Sequence, residues 1–370
     1  MNTTTLSNKH RPKQITDIIG QKRVVDFIKK QAEKDSFSHA YLFAGQFGSG
    51  KTSVARILSA LMTCEHKEGH LICEKCKSDI AIHDGHCVDV YETDAASKRG
   101  IDDARKIKET AYYAPQELKK KIYIIDEAHM LTTEAWNALL KIIEEPPSYV
   151  TFIFCTTNHR KVPDTISSRC KSFIFNQISV QEMLDHLKKI AKKEKIAIED
   201  NALTSIAKIS RGSMRDAISH LEQIAVAKDN SIGEKEAAEY FGVPDGTITY
   251  QMVKLMIDQN ASGLLEKANT LLQSGIDPKT ILNDISYILR NIFVCKVCGK
   301  DSKLIDVLDI ERKSIAEIAE KVNRNGLIKV ASSLSRIEKE INVNLNERWI
   351  LEAALINCLT LLKNEVPNPK

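Results

Sequence analysis

Gly45-Gln46-Phe47-Gly48-Ser49-Gly50-Lys51-Thr52 is a complete G-x-x-x-x-G-K-[ST] phosphate loop. Its glycines let successive backbone N–H groups face phosphate oxygens, Lys51 offers a point charge to the terminal phosphates, and the Thr52 hydroxyl can bind magnesium. Ser53 carries the loop into the next element and belongs to the same nucleotide-binding set. Downstream, Ile122-Tyr123-Ile124-Ile125-Asp126-Glu127 delivers two carboxylates at the end of an apolar run. Asp126 is suited to hold magnesium and Glu127 to polarise an attacking water, the pairing that hydrolysis of a nucleoside triphosphate needs. Thr156, Thr157 and Asn158 close another apolar run, TFIFCTTN, and could sense a γ-phosphate or orient water. Arg169 in Ser168-Arg169-Cys170 and Arg215 in Ser213-Met214-Arg215-Asp216 add candidate cations. The spacing from Ser213 to Asp216 is that of a capping box, which puts Arg215 in the first turn of a helix.

A different chemistry is concentrated in CEHKEGHLICEKCKSDIAIHDGHC, from Cys64 to Cys87, which holds four of the nine cysteines and four of the ten histidines. That density of soft ligands points to a metal, and zinc accepts thiolate, imidazole and carboxylate. Cys295-Lys296-Val297-Cys298 has ligand-like spacing, but no second pair follows it. Its place after the apolar run SYILRNIFV predicts two core thiols one helical turn apart. The scattered Cys155, Cys170 and Cys358 read as reduced thiols rather than a disulfide framework.

These groups need elements to hold them. AYLFAG, Ala40 to Gly45, reads as a short buried strand and SVARILSALM as a helix, so the loop has the strand before and the helix after that phosphate binding requires. Four more strand candidates follow: VDVYE from Val88, IYII from Ile122, TFIFC from Thr151 and SFIF from Ser172. Helical patterns separate them, which predicts an α/β domain with a parallel sheet covered on both faces and ending near Gln177. From Ser179 only helices are expected. A capping-box spacing over Ser179–Glu182 opens EMLDHLKKIAKK, then NALTSIAKI and MRDAISHLEQIAVA complete a small helical domain to about Gly242. A Val243-Pro244-Asp245-Gly246 turn starts a third segment, again helical by the spacing of Val253, Met256 and Ile257, and of Leu264, Leu265, Ala268, Leu271 and Leu272. The predicted domains are 1–177, with the cysteine-rich insert at about 64–87, then 178–242 and 243–370.

At 370 residues, 43% hydrophobic and 28% charged, the chain exceeds one core and is neither disordered nor collagen-like. A net charge of +4 is too small to argue for nucleic-acid binding, so a local basic surface would have to carry it. No run of about 18 apolar residues is present, and MNTTTLSNKHRPK lacks the apolar core of a signal peptide. The expected location is the cytoplasm, with no membrane contact.

With phosphate loop, Asp-Glu strand, SRC and GSMRDA in this order, the chain resembles the AAA+ ATPases, and among them the gamma/tau subunits of the bacterial DNA polymerase III clamp loader. The likeness spans essentially the whole chain and is strongest at KHRPKQITDIIGQ, HAYLFAG, ETDAASKRGIDDAR, IIDEAHMLTTEAWNALLKIIEEPP and TISSRC. It implies a P-loop AAA+ core with a five-stranded parallel sheet, a three-helix lid and an all-α collar that joins subunits in a five-membered ring. The cofactors implied are ATP and Mg2+. Residue roles also come from the resemblance: Thr157 as first sensor, Arg215 as second sensor in the lid, and Arg169 as the arginine finger reaching a neighbour's ATP. Arg11, Pro12 and Ile19 fall where the family holds adenine. The family carries a structural Zn2+ module where the insert sits. Cys64, Cys73 and Cys76 match three of its four cysteines, and Asp79 stands at the fourth position. Asp79 itself, His83 one turn on, or Cys87 could complete the set, with Asp79 the first choice.

The activity implied is that of the ATPase motor of the clamp loader, a component of the polymerase holoenzyme but not its polymerising subunit. ATP binding would assemble a spiral that opens the sliding clamp and grips primer-template DNA, and hydrolysis would release both. Lys98, Arg99, Arg105, Lys141, Arg160 and Lys161 would grip phosphates rather than read bases. Two other kinds of protein share these motifs: a DNA-remodelling AAA+ motor such as a branch-migration helicase, and a nucleotide-gated scaffold that binds ATP without turning it over. SRC and the cysteine insert favour the clamp loader over the first. Intact Lys51, Thr52, Asp126 and Glu127 argue against the second. Ending at Lys370, the chain resembles the short gamma form rather than the longer tau form.

Overall fold

Five runs rich in β-branched and aromatic residues form strands, and the helices between them cover both faces. The computed structural model describes residues 5–227, 232–241, 246–302, 304–305, 307, 309–340 and 346–363. The expected boundary at Gly242 and residues 243–245 of the expected turn lie outside them. In chain order come α1 (Leu6–Lys9), α2 (Lys22–Glu33), β1 (Ala40–Gly45), α3 (Lys51–Thr63), α4 (Lys77–Asp84), β2 (Val90–Asp94) and α5 (Ile101–Ala111). Then follow β3 (Lys121–Asp126), α6 (Thr133–Glu144), β4 (Val150–Thr156), α7 (Asp164–Ser167) and β5 (Lys171–Phe175).

The strands form one parallel sheet in the order β2-β3-β4-β1-β5. Tyr41, Phe43, Ile124 and Ile153 belong to a core shared with α2 and α3 on one side. Leu42, Ile125, Phe152 and Phe154 belong to a second core shared with α5 and α6. Strands buried on both faces read as continuous apolar runs, as these do. Strand β2 starts at Val90, two residues later than expected: Val88 is exposed and Asp89 is committed elsewhere. The buried Asp89 carboxylate accepts the backbone N–H groups of Gln116, Glu117 and Leu118 at 2.7–3.0 Å, fixing the approach to β3.

Beyond the sheet the chain is helical: α8 (Val180–Glu194), α9 (Asp200–Ile209), α10 (Met214–Ala227), α11 (Glu234–Phe241), α12 (Gly246–Ile257), α13 (Ala261–Gln273), α14 (Pro278–Cys298), α15 (Asp309–Lys321), α16 (Arg324–Glu340) and α17 (Glu347–Leu362). Both expected capping serines act. Ser179 Oγ accepts the Glu182 N–H at 3.3 Å, and Ser213 Oγ accepts the Asp216 N–H at 3.3 Å. Val253, Met256, Leu264, Ala268 and Leu271 are buried together in a core to which α14 and α17 contribute Ile285, Ile292 and Leu355. Among the described residues, no helix is long and apolar enough to cross a membrane.

Two units result. One runs to Glu182 and takes in Ser210–Ser219; the other takes Met183–Ile209 and the chain from His220 onward. The first unit therefore owns the sheet and also the start of α10, which carries Arg215 to the phosphate loop.

Candidate active site

Pairing of β1 with β4 sets Ala44 beside Thr156, and pairing of β3 with β4 sets Ile125 beside Phe154. The residues that follow, the phosphate loop, Asp126-Glu127 and Thr157, therefore leave the sheet at one edge, the C-terminal ends where open parallel sheets bind ligands. Gly48 and Gly50 turn the loop with φ of +70° and +96°, a region L side chains resist. Lys51 is buried, and its Nζ donates to the Gly45 and Gln46 carbonyls, both at 2.8 Å. Burial lowers its pKa, while Cys155, Asp126 and Glu127 pull the other way. An ammonium held by neutral carbonyls is set to gain when a phosphate brings the opposite charge.

Thr52 Oγ1 donates to Asp126 Oδ2 at 2.7 Å, tying the loop helix to the end of β3. These two oxygens suit a hard cation such as magnesium, which takes oxygen ligands. Glu127 has φ of +46°, a left-handed conformation that costs a non-glycine residue on the order of 1–3 kcal/mol. Its Oε2 accepts from Thr157 Oγ1 at 2.9 Å and lies 3.1 Å from His129 Nδ1. His129 also meets Thr156 Oγ1 at 3.1 Å. Sequence reasoning passed over His129, although IIDEAH puts it two residues after Glu127. Asn158 turns its backbone N–H onto Thr156 Oγ1 at 3.0 Å, so this hydroxyl organises the strand end.

The first turn of α10 sits on the loop. Met214 N–H donates to the Gly48 carbonyl at 3.2 Å, and a Cβ on Gly48 would meet Ser213 Oγ at 1.9 Å. The Arg215 guanidinium lies 5.2 Å from the Phe47 ring centroid, a cation–π distance. Gln177 Nε2 donates to Gln46 Oε1 at 2.7 Å from the segment leading into the helices. Ser49 is buried, with its hydroxyl on the Gln46 carbonyl at 2.7 Å, and Ser53 follows Thr52 in the first turn of α3. Arg11 is half-buried within electrostatic reach of Arg56, Glu92, Arg215 and Asp126. Burial, then Arg56, then Arg215 lower its pKa against the pull of Glu92 and Asp126, so an anion arriving there would relieve it. Pro12, next to it in sequence, and Ile19, further on, are both partly exposed.

Arg169 is at the other end of the sheet. Lys171 pairs with Tyr41 and Phe175 with Gly45, so β5 runs back about 13 Å from the loop at about 3.3 Å per residue, and Arg169 lies in the turn before its first residue. Its Nη2 meets Glu144 Oε1 at 2.6 Å, and its Nη1 donates to the Thr165 carbonyl at 2.6 Å and Ser168 Oγ at 3.4 Å. A cavity of about 650 Å³ opens there, lined by His39, Lys120, Glu144, Arg169 and Lys171 among others.

The six basic residues are all exposed and spread over four stretches. Lys98 and Arg99 precede α5, with Lys98 Nζ 5.7 Å over the Tyr91 ring. Arg105 pairs with Asp102 at 3.6 Å on α5, Lys141 is on α6, and Arg160 and Lys161 form a 3-10 turn after β4.

In the insert, Cys64 ends α3, Cys76 precedes α4, and Asp79 lies in the first turn of α4. One donor atom each from Cys64, Cys73, Cys76 and Asp79 lies within 4.8 Å of every other. Asp79 Oδ2 stands 3.2 Å from Cys64 Sγ and 3.3 Å from Cys73 Sγ, while its buried Oδ1 has no hydrogen-bond partner. Three sulfurs and a carboxylate suit tetrahedral zinc. His83 and Cys87 lie outside this cluster; His83 Nε2 is buried without a hydrogen-bond partner. At the other CxxC, Cys295 is buried but Cys298 is exposed, which corrects the expectation of two core thiols. Helix α14 ends at Cys298, and the last turn leaves the core.

Three family descriptions match successive parts of the chain: "DNA polymerase III, delta subunit" over 20–179, "DNA polymerase III clamp loader subunit, ATPase lid domain" over 182–229, and "DNA polymerase III subunits gamma and tau domain III" over 232–369. DNA polymerase III subunit gamma of Buchnera aphidicola subsp. Schizaphis graminum is 33% identical over 363 residues, covering 98% of this chain and 100% of that one. The chain belongs to the DNA polymerase III gamma/tau family. Other members include the tau subunit of Bacillus subtilis, 33% identical, and the gamma/tau subunit of Mycoplasma genitalium, 35% identical. The alignments cover 96% and 98% of this chain but 63% and 59% of those relatives, so it spans about three fifths of their length. Among solved structures, the Thermotoga maritima RuvB Holliday junction branch migration motor matches with a TM-score of 0.47 and 22% identity over 67% of this chain and 79% of that one. The five-stranded sheet with its phosphate loop, followed by the lid family and a helical region, makes this an AAA+ chain.

Proposed function

We propose that this chain is the ATP-hydrolysing motor subunit of a replicative clamp loader. The observation that carries the proposal is the meeting of Lys51, Thr52, Asp126, Glu127 and Thr157 at the ends of three adjacent strands, with the first turn of α10 seated on the loop. Lys51 exchanges its carbonyl partners for the terminal phosphates of ATP, cradled by the backbone from Gly45 to Ser53. A magnesium ion on Thr52 and Asp126 would neutralise charge on the β- and γ-phosphates. Glu127 orients and polarises a water whose oxygen attacks the γ-phosphorus in line, the bond to the ADP oxygen breaks, and ADP and phosphate leave. Thr157 and His129 hold the Glu127 carboxylate in place for that step. Arg215 leaves the Phe47 ring for the phosphates, and Arg11 with Pro12 and Ile19 lies along the adenine side.

Arg169 is too far from its own loop to serve it, which supports a finger acting on the ATP of a neighbouring subunit. Hydrolysis then depends on assembly, as a five-membered ring with other clamp-loader subunits requires. The ring would bind the sliding clamp and primer-template DNA in the cytoplasm, gripping DNA phosphates with Lys98, Arg99, Arg105, Lys141, Arg160 and Lys161. The domains proposed for these tasks are 1–177, 178–242 and 243–370. Zinc on Cys64, Cys73, Cys76 and Asp79 would staple the insert, remote in role from the chemistry.

Steady-state ATP hydrolysis by the assembled complex, with and without sliding clamp and primed DNA, tests this function. A rate raised by both together supports the clamp loader. A rate raised by branched junctions but not by clamp would mean a branch-migration motor, and binding without turnover would mean a scaffold.

A further inference from the structure

Helix α6 ends at Glu144 because Pro146 and Pro147 follow and cannot continue it, so the carboxylate is presented from a fixed helix end. A negative charge at a helix C-terminus is disfavoured by the macrodipole, and Glu144 is offset there by one partner, Arg169 Nη2 at 2.6 Å. Both side chains are about two-fifths exposed, and an ion pair so exposed contributes little to stability. Its effect falls on direction instead. A guanidinium has five N–H donors. Nη1 donates to the Thr165 carbonyl and Ser168 Oγ, and Nη2 is ion-paired with Glu144. Neither hydrogen bond uses Nε–H or Nη2–H, so these donors stay available to a phosphate oxygen.

We propose that Glu144 is a positioning residue for Arg169: it holds the guanidinium from behind so that the remaining donors face the phosphate of the neighbouring subunit's ATP. This role rests on the reading of Arg169 as a finger acting in trans. Losing the tether frees a long side chain to sample many rotamers, and a misplacement of about 1 Å can cost on the order of a hundredfold in rate.

The test uses the full complex carrying Glu144→Ala, Glu144→Gln or Arg169→Ala in this chain, with turnover measured in the presence of clamp and primed DNA. Glu144→Ala should lower kcat by about ten- to a hundredfold with nucleotide affinity and melting temperature unchanged, and Glu144→Gln, which keeps an acceptor, should fall between it and the parent. Mixed complexes provide a readout that a structural defect would not give. Glu144→Ala chains should turn over ATP normally at interfaces where a Lys51→Ala chain, its own Glu144–Arg169 pair intact, donates the finger. If Arg169→Ala abolishes turnover while Glu144→Ala leaves it untouched or raises it, the positioning role is overturned and the finger stands. If Arg169→Ala keeps full turnover, the finger itself is wrong, and Glu144 has nothing to position.

Discussion

The C-terminal ends of β1, β3 and β4 carry groups that already satisfy one another: Lys51 on its own loop carbonyls, Thr52 on Asp126, Thr157 and His129 on Glu127. At the N-terminal end of β5, Arg169 stands beside a cavity with its charge offset by Glu144 and no phosphate-binding loop within reach. Under the proposed function, the first end would bind ATP with Glu127 as its base, and the second would offer Arg169 to a site elsewhere. If that reading holds, each chain binds one nucleotide and acts on another.

The sharpest break in that comparison comes from the first end. Lys51→Ala should abolish nucleotide binding, whereas Glu127→Gln should still bind ATP yet hydrolyse it at least about a hundredfold more slowly. Equilibrium binding and turnover on the same samples separate the two, and near-normal turnover by Glu127→Gln would remove Glu127 from the role of base. Gly48→Ala should come next. The new methyl would meet Ser213 and would sit at positive φ, a strain on the order of 1–3 kcal/mol. Weaker nucleotide binding and a lower melting temperature should both appear.

Much of the first end was legible because its groups are contiguous in sequence: a loop of eight residues and an Asp-Glu pair need only the right strand before them. What was not legible depends on backbone and tertiary packing. The left-handed turn at Glu127, the seat of Ser213 on Gly48 and the Glu144–Arg169 pair join residues whose spacing obeys no local period. The strand period found β2 but not its start, because nothing local signals that Asp89 staples a distant loop. A cysteine spacing likewise could not tell Cys295 inside from Cys298 outside, since both follow from where α14 ends.

The insert offers a smaller effect. Protein made in zinc-replete medium should carry about one zinc per chain, lost from Asp79→Ala more readily than from His83→Ala or Cys87→Ala. Chelation should leave ATP binding intact while lowering thermal stability. Metal content near zero in the parent protein would mean the cluster holds none.

The smallest effect expected is in thiol labelling near pH 8. Cys298 is exposed and should react first, whereas burial pushes Cys170 and Cys358 up to about 12, so both stay protonated and slow. Cys64, Cys73 and Cys76 should join the reactive set only after chelation. Prompt labelling of Cys358 in the folded protein would contradict the burial that the α12–α17 core gives it.

Whether the two ends of the sheet serve different nucleotides is tested most directly by mixing. Complexes of Arg169→Ala chains alone and of Lys51→Ala chains alone should each be nearly inactive. Mixed complexes should regain part of the ATP hydrolysis, because a Lys51→Ala chain can lend Arg169 to a neighbour whose phosphate loop is intact. No recovery, in complexes shown to contain both variants side by side, would contradict a finger acting between subunits.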